Sequence, residues 1–348
     1  MITGSFQITK GDMAMKRVFF RRTLTVFLLL VLVSLAGGPC ASAEEGAALP
    51  LNYLEGGKPP KADGWTFNGE GPVSYEDSTI RVTFEREVIT HMLYCGNRQG
   101  ETVEDESWIV RISIRDASQL RTAIALDTYE GREEEEATAM ANSKNAVVAI
   151  DGDFLKLFDD IGYVVRQGKL IRDDTDNSAG FVYDMLLIDS EGDFHVVNSA
   201  TTESIDAYVA EYLTPLGRTI YNTFNCGPVL VQNGRVPLIA QSEAAINESY
   251  EWRYPCQRQC ILQTGPLEYA IVEVAGEGGE TTGFTMTEFA EYVAEKFPDA
   301  ILAYNLAGGH ATALIAWKSA ETARGERICF TPTPKLINDI LYFVSAED

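Results

Sequence analysis

Turn residues set the limit on what this chain can become. From residue 80 onward, short apolar stretches alternate with Gly, Asn, Asp and Ser clusters, a pattern that specifies a sheet-rich domain. Trp108 to Arg115 is apolar-rich with partial alternation, and Leu120 to Leu126 follows closely. Asn145 to Ile150 is a continuous apolar run of strand length, as expected of a central strand buried on both faces. Three hairpins are marked by their turns: Arg166-Gln167-Gly168, Ser190-Glu191-Gly192, and Gln232-Asn233-Gly234 after Pro228–Val231. Asn-Gly is the strongest of these, because both residues tolerate positive φ.

Helices are fewer. Met286 to Phe297 is the clearest, with Thr285 and Glu288 at capping-box spacing, Phe289, Val293 and Phe297 recurring at i, i+4, i+8, and Pro298 as the stop. Tyr269–Val274 before it and Ala300–Leu306 after it read as strands, and a second helix falls within Thr202–Leu213. The pattern predicts an α+β fold, a single domain with a mixed, largely antiparallel sheet and a few packing helices.

The N-terminus reads as a leader. Lys16, Arg17, Arg21 and Arg22 precede an apolar run from Leu24 to Ala36, and Ala41-Ser42-Ala43 has the small-residue spacing of a cleavage site. Residues 1–43 are therefore expected to be a signal peptide of an exported protein, and a membrane is a partner only through that leader if it stays uncleaved. The run is shorter than the ~20 residues a spanning helix needs. Residues 44–79, rich in Gly, Pro and charge, read as a flexible N-terminal arm, and 80–348 as the folded domain.

Removing 1–43 takes away five basic residues and one acidic residue, which leaves 23 Lys+Arg against 50 Asp+Glu and a net charge of −27. Such a surface repels polyanions, so nucleic acid is not an expected partner. Cys95, Cys226, Cys256, Cys260 and Cys329 remain, and their odd number leaves at least one thiol outside any disulfide. Buried apolar thiols or one disulfide fit this spacing better than structural zinc, which lacks a second ligand pair.

Asp151-Gly152-Asp153 stands where the buried strand breaks into a glycine turn, so its carboxylates emerge at a sheet end. Either they form a site or the turn is merely polar. Asn305 closes another buried strand, and Gly308-Gly309 lets the backbone approach a ligand with N–H groups directed at phosphate oxygens. The alternative is a tight turn. Thr312 adds a hydroxyl donor, and Arg258 carries the group best matched to a phosphodiester, unless it is an ordinary surface arginine. His310 is suited to proton transfer near neutral pH, or is a packed or surface histidine.

Three ordered segments resemble the phosphodiester glycosidase family. They are Asn145 to Phe154 with the hairpin Gly162 to Lys169, then Asn225 to Gly234, then Gly283 to Trp317, and Asn338 to Tyr342 is similar to the family's last strand. The resemblance covers roughly 80–345. It implies hydrolysis of sugar–phosphodiester linkages in cell-surface or extracellular glycans, with Asp151, Asp153 and His310 as catalytic candidates and Arg258, Asn305, Gly308, Gly309 and Thr312 binding substrate. No cofactor or metal is fixed by the sequence, and Asp-rich turns suit calcium outside the cell.

The chain departs from the family at defined positions. Ala307 and Ala275 stand where Asp is usual, Asp151 stands where Asn is usual, and His310-Ala311 replaces a Gly-Ser step. Glycoside hydrolysis ordinarily uses two carboxyl groups. A non-catalytic domain that binds glycans or sugar phosphates on the same fold is the alternative expectation.

Overall fold

The computed structural model describes residues 48–93, 98–128, 133–153, 162–175, 184–237, 254–276, 282–321, 324–328 and 335–348. The expected leader, Cys95, Phe154 and Cys329 lie outside them. Residues Glu44–Asp348 form one compact unit.

Two sheets share one core. The larger has eight strands in the order Trp65–Asn68, Gly71–Glu76, Ile80–Met92, Thr102–Ile114, Glu268–Val274, Arg258–Gly265, Leu302–Asn305, Val229–Gln232. The second has five, Glu326–Arg327, Leu314–Ala316, Ala146–Asp151, Asp339–Val344 and Leu120–Ile124. Val82, Val110 and Ile261 from the first pack with Val148, Ile150, Leu341 and Phe343 from the second. Three helices are described and are named here α1 (Ala137–Ser143), α2 (Thr202–Tyr208) and α3 (Met286–Lys296). The outer face of the large sheet is covered by α3 through Phe289 and Val293, and that of the five-stranded sheet by α1 through Met140 and Ala141. The resulting order is helix, sheet, sheet, helix, and every described ladder is antiparallel.

The apolar run before Asp151 forms the strand Ala146–Asp151 at the middle of its sheet, buried at all six positions. A strand covered on both faces has no use for alternation, which is why the run is continuous. Two of the three hairpins form, Gly162–Arg166 with Lys169–Asp174 through Gln167 (φ 49°) and Gly168 (φ 74°), and Met185–Asp189 with Phe194–Val197. At Asn233 (φ 52°) and Gly234 (φ 69°) the chain makes a tight turn closed by one Gln232–Arg235 bridge, and Val229–Gln232 pairs instead with Leu302–Asn305. Helix α3 begins with the capping box, in which the Glu288 N–H donates to Thr285 Oγ1 (3.2 Å) and the Thr285 N–H to Glu288 Oε2 (2.8 Å). Thr285→Ala should cost about 1 kcal/mol, read as a lower urea midpoint at unchanged slope.

Glu268–Val274 and Leu302–Asn305 both run antiparallel to Arg258–Gly265 between them, and so parallel to each other. The strand–helix–strand segment is thus a crossover that steps over one strand. The second expected helix is α2, extended by a wider turn over Val209–Leu213.

The mobile arm expected over 44–79 is corrected by the fold. Trp65–Asn68 and Gly71–Glu76 form a hairpin at the sheet edge, with Trp65 stacked on Trp317 at 5.5 Å between centroids and Tyr75 wholly buried. Upstream, the buried Arg121 guanidinium donates to the carbonyls of Ser118, Pro50, Asn52 and Glu55. Gly and Pro content signalled irregular backbone correctly, but the aromatic anchors within it outweigh that composition. Cys226, Cys256 and Cys260 are buried thiols, and burial pushes the Cys260 thiol well above its ordinary range.

Candidate functional site

The strands Ala146–Asp151 and Asp339–Val344 pair so that Ile340 faces Asp151, which brings Asp339 against the Asp151-Gly152-Asp153 turn. Gly152 is required there, because a Cβ would sit 2.7 Å from Asp339 Oδ2. The Gly152 N–H donates to the Asp339 carbonyl (3.2 Å) and to Asp151 Oδ1 (3.0 Å), and the Asp153 N–H donates to Asp339 Oδ1 (2.8 Å). Three carboxyl groups are therefore held in one buried turn, with residue exposures of 1% at Asp151, 5% at Asp153 and 0% at Asp339.

Among the described residues one buried cation answers them. Arg166, at the end of the strand Gly162–Arg166, donates from Nη2 to Asp339 Oδ2 (2.8 Å) and stands 3.7 Å from Asp153 Oδ2. Its Nη1 donates to the Thr223 and Val165 carbonyls, and its guanidinium lies 4.9 Å from the Phe224 ring centroid. Asp153 Oδ2 also accepts from the Asn225 N–H (2.9 Å) and Nδ2 (2.8 Å), and Cys226 Sγ donates to Asp153 Oδ1 at 3.4 Å. Asp151 is treated differently. Its Oδ1 accepts only from Gly152, and its buried Oδ2 has no partner among the described residues. Burial raises its pKa well above the usual carboxylate range, reinforced by the nearby charges of Asp339 and Asp153. The Asp339 carboxyl is raised to about 6 by burial, against the pull of Arg166.

The turn over 307–312 abuts this acid turn. The Ala307 N–H donates to the Gly152 carbonyl (3.4 Å), and Gln259 Nε2 bridges the carbonyls of Asp151 (3.2 Å) and Ala307 (2.6 Å). The Gly309 N–H, expected to be open to phosphate, donates to the Gln257 carbonyl (3.0 Å), and a Cβ at Gly308 would sit 2.9 Å from that same oxygen. These glycines serve close backbone packing in a 3₁₀ turn, with Gly309 at φ 62°. Thr312 is buried behind the turn, and His310 is exposed on it.

Arg258 and Asn305 lie across the large sheet from the carboxyl groups. Alternation puts Gln259 and Ile261 on the inner face, and Cys260 and Leu262 on the face that α3 covers. Arg258 shares the α3 face, where its Nε donates to the Phe284 carbonyl (2.9 Å) and its Nη2 to that of Tyr254 (3.1 Å). Asn305 pairs with Cys260, and its Nδ2 donates to the Gly227 carbonyl (2.8 Å), one residue beyond Cys226. The Asn305 Oδ1 is buried without a partner among the described residues. Of the eight residues singled out in the sequence, Asp151 and Asp153 come together directly. The 307–312 turn adjoins them, Asn305 reaches them through the 225–227 segment, and Arg258 is separate.

Asp339, Arg166, Asn225, Cys226 and Gln259 complete the cluster and were not singled out as site residues. Their signal in the sequence is a charge or amide interrupting an apolar strand, as in Val164-Val165-Arg166 and Asp339-Ile340-Leu341. Among the described residues no group of three or more His, Cys, Asp or Glu side chains is arranged to hold a metal ion, and so no calcium site is outlined there. A groove of about 520 Å³ lined by Pro59, Asn145, Ala146, Trp317 and Arg324 opens at the other end of the Ala146–Asp151 strand. That end is roughly 17 Å from the carboxyl groups at ~3.3 Å per residue.

No curated protein matches the chain. Among solved structures, the zebrafish N-acetylglucosamine-1-phosphodiester alpha-N-acetylglucosaminidase catalytic domain, auto-inhibited by its pro-peptide, matches at TM-score 0.53 and 14% identity, over 76% of this chain and 88% of that one. A hypothetical protein from Synechocystis matches at TM-score 0.40 and 12% identity, over 78% of this chain and 76% of its own. The first likeness establishes a shared fold. The family model described as phosphodiester glycosidase matches residues 144–341, a span that contains Asp151, Arg166, Asn225, Ala307 and Asp339. This chain belongs to the phosphodiester glycosidase family.

Proposed function

We propose that this chain is an exported hydrolase that cleaves sugar–phosphodiester linkages of cell-surface or extracellular glycans, with the acid turn as its catalytic centre. The observation that carries the reading is Asp151, a buried carboxyl whose Oδ2 has no partner among the described residues and whose burial raises its pKa well above the usual carboxylate range, which favours the protonated form. A neutral acid does not repel a phosphodiester anion. It can hydrogen-bond to a phosphate oxygen and give up its proton as the glycosidic C–O bond breaks, while the Asp153 carboxylate acts as base on water or as nucleophile at the sugar carbon.

The family departures fit this arrangement. The carboxylate missing at Ala307 and the one gained at Asp151 belong to adjacent turns joined by the Ala307 N–H to Gly152 carbonyl bond. The position that lacks an acid and the position that carries an added one are therefore neighbours in the fold. Ala275 is a second missing carboxylate without such a counterpart, and it favours the alternative of a domain that binds sugar phosphates without cleaving them.

A nitrophenyl-type sugar phosphodiester separates the two. Release of product that disappears in Asp153→Ala supports hydrolysis, whereas saturable binding with no turnover supports the binding domain. No interaction with any sugar phosphate would reject both. Export is tested separately, by N-terminal sequencing of protein recovered outside the membrane, which should begin after Ala43.

A further inference from the structure

The three carboxyl groups of the acid turn do not share one environment. Asp339 and Asp153 both lie against the Arg166 guanidinium, at 2.8 and 3.7 Å, and each accepts further hydrogen bonds. Asp339 Oδ1 takes the Asp153 N–H, and Asp153 Oδ2 takes two donors from Asn225. Asp151 has one backbone donor, no hydrogen bond to the guanidinium, and a buried oxygen with no partner among the described residues. Among the described residues a single buried cation therefore meets two of the three carboxyls, and closely placed like charges resist ionising together.

We propose that Arg166 and Asp339 are positioning residues that decide which carboxyl of the turn carries the proton: Arg166 pairs with Asp339 and stands beside Asp153, and the charge gathered there leaves the proton on Asp151. This rests on the hydrolase reading in giving the arrangement a use, but the distribution of charge is a property of the folded chain with or without turnover. Among the described residues, the charges that act on Asp151 are those of Asp339 on the neighbouring strand and Asp153 within its turn, and that of Lys335 ahead of the last strand, which opposes the effect. Arg166 pairs with Asp339, and Cys226 donates to Asp153. His310 is exposed on the turn that packs against the Asp151 backbone.

The proton moves between named atoms in this scheme. In the resting turn it sits on the Asp151 carboxyl. During cleavage water, giving its proton to Asp153, bonds to the sugar carbon as the C–O bond breaks; the electron pair of that bond goes to the departing phosphate oxygen, which takes the Asp151 proton, and Asp151 becomes a carboxylate. That state is strained by Asp339, which favours return of the proton to Asp151 once product has left. Asp339 is fully buried and in this scheme acts only through the charge it presents.

The test is a ¹³C-carboxyl NMR titration of aspartate-labelled protein, with the Asp151 signal assigned by its loss in Asp151→Asn. In the unmodified protein Asp151 should lose its proton after Asp339. In Asp339→Asn, which keeps shape and removes a charge, the Asp151 midpoint should fall by about one pH unit. In Arg166→Met the order of Asp151 and Asp339 should reverse. An Asp151 signal that titrates before Asp339 in the unmodified protein, or one that does not move in Asp339→Asn, overturns the proposal. Should Arg166→Met not fold, those two measurements still decide it. Absence of turnover with the expected titrations would reject the hydrolase reading alone, while turnover with an unmoved Asp151 signal would reject only the positioning role.

Discussion

Arg166→Met is expected to cost about 3–5 kcal/mol of folding stability at neutral pH, with most of that loss recovered on acidification. Arg166 is fully buried, and methionine approximates its stem while leaving Asp339 and Asp153 without their cation. A buried carboxylate so abandoned takes up a proton more readily when folded than when unfolded, because its folded pKa is raised. The stability associated with it is then present in acid and lost as pH rises through the folded pKa. Asp339 is already raised to about 6 with the arginine in place, and removal of that pull can only raise it further. Urea titrations at pH 5 and pH 8 give the answer. A deficit much smaller at pH 5 identifies unpaired charge as the cause, while an equal deficit at both would assign the loss to packing against Phe224.

How much of this was legible in the sequence depends on the range of the interactions. The central strand, the tight turns and the capped helix are written in local pattern, since burial on two faces makes Ala146–Asp151 continuously apolar and positive φ demands Asn233-Gly234. The Asp151-Gly152-Asp153 turn was visible for the same reason. Asp339 was not, because it lies 186 residues from Asp153 and joins it only through strand pairing. Arg258 shows the reverse limit. Its residue type suits a phosphodiester, but one step of alternation separates it from Gln259, and that step puts it on the far side of the sheet. The early chain misled through composition. Gly and Pro around residue 57 suggested a free arm, while Trp65, Tyr75 and the distant Arg121 fix it in place.

Asp151→Asn should stabilise the folded protein above about pH 5 and lower turnover by about 10²–10⁴-fold, the usual contribution of a general acid. Asparagine keeps the Oδ1 that accepts from Gly152 and removes a carboxyl whose ionisation the buried turn opposes. With a folded pKa raised above the unfolded value, Asp151 contributes stability that is complete below about pH 4 and is lost as pH climbs toward the folded pKa, at about 1.4 kcal/mol per pH unit within that interval. The asparagine variant lacks this slope, so the difference between the two proteins should widen with pH. Asparagine is also the residue usual in the family here, and its neighbour in the adjacent turn is Ala307, whose N–H bonds the Gly152 carbonyl. If the acid has moved between adjacent turns, Asp151→Asn combined with Ala307→Asp should regain at least about tenfold in turnover over the single variant, a change of roughly 1.4 kcal/mol in transition-state free energy. Both variants are to be measured for urea stability and for hydrolysis of the same phosphodiester. A single variant as active as the parent would remove Asp151 from the chemistry. A double variant no faster than the single would show that position 307 cannot supply the proton, so that the chain's altered turn works, if it works, in a way of its own.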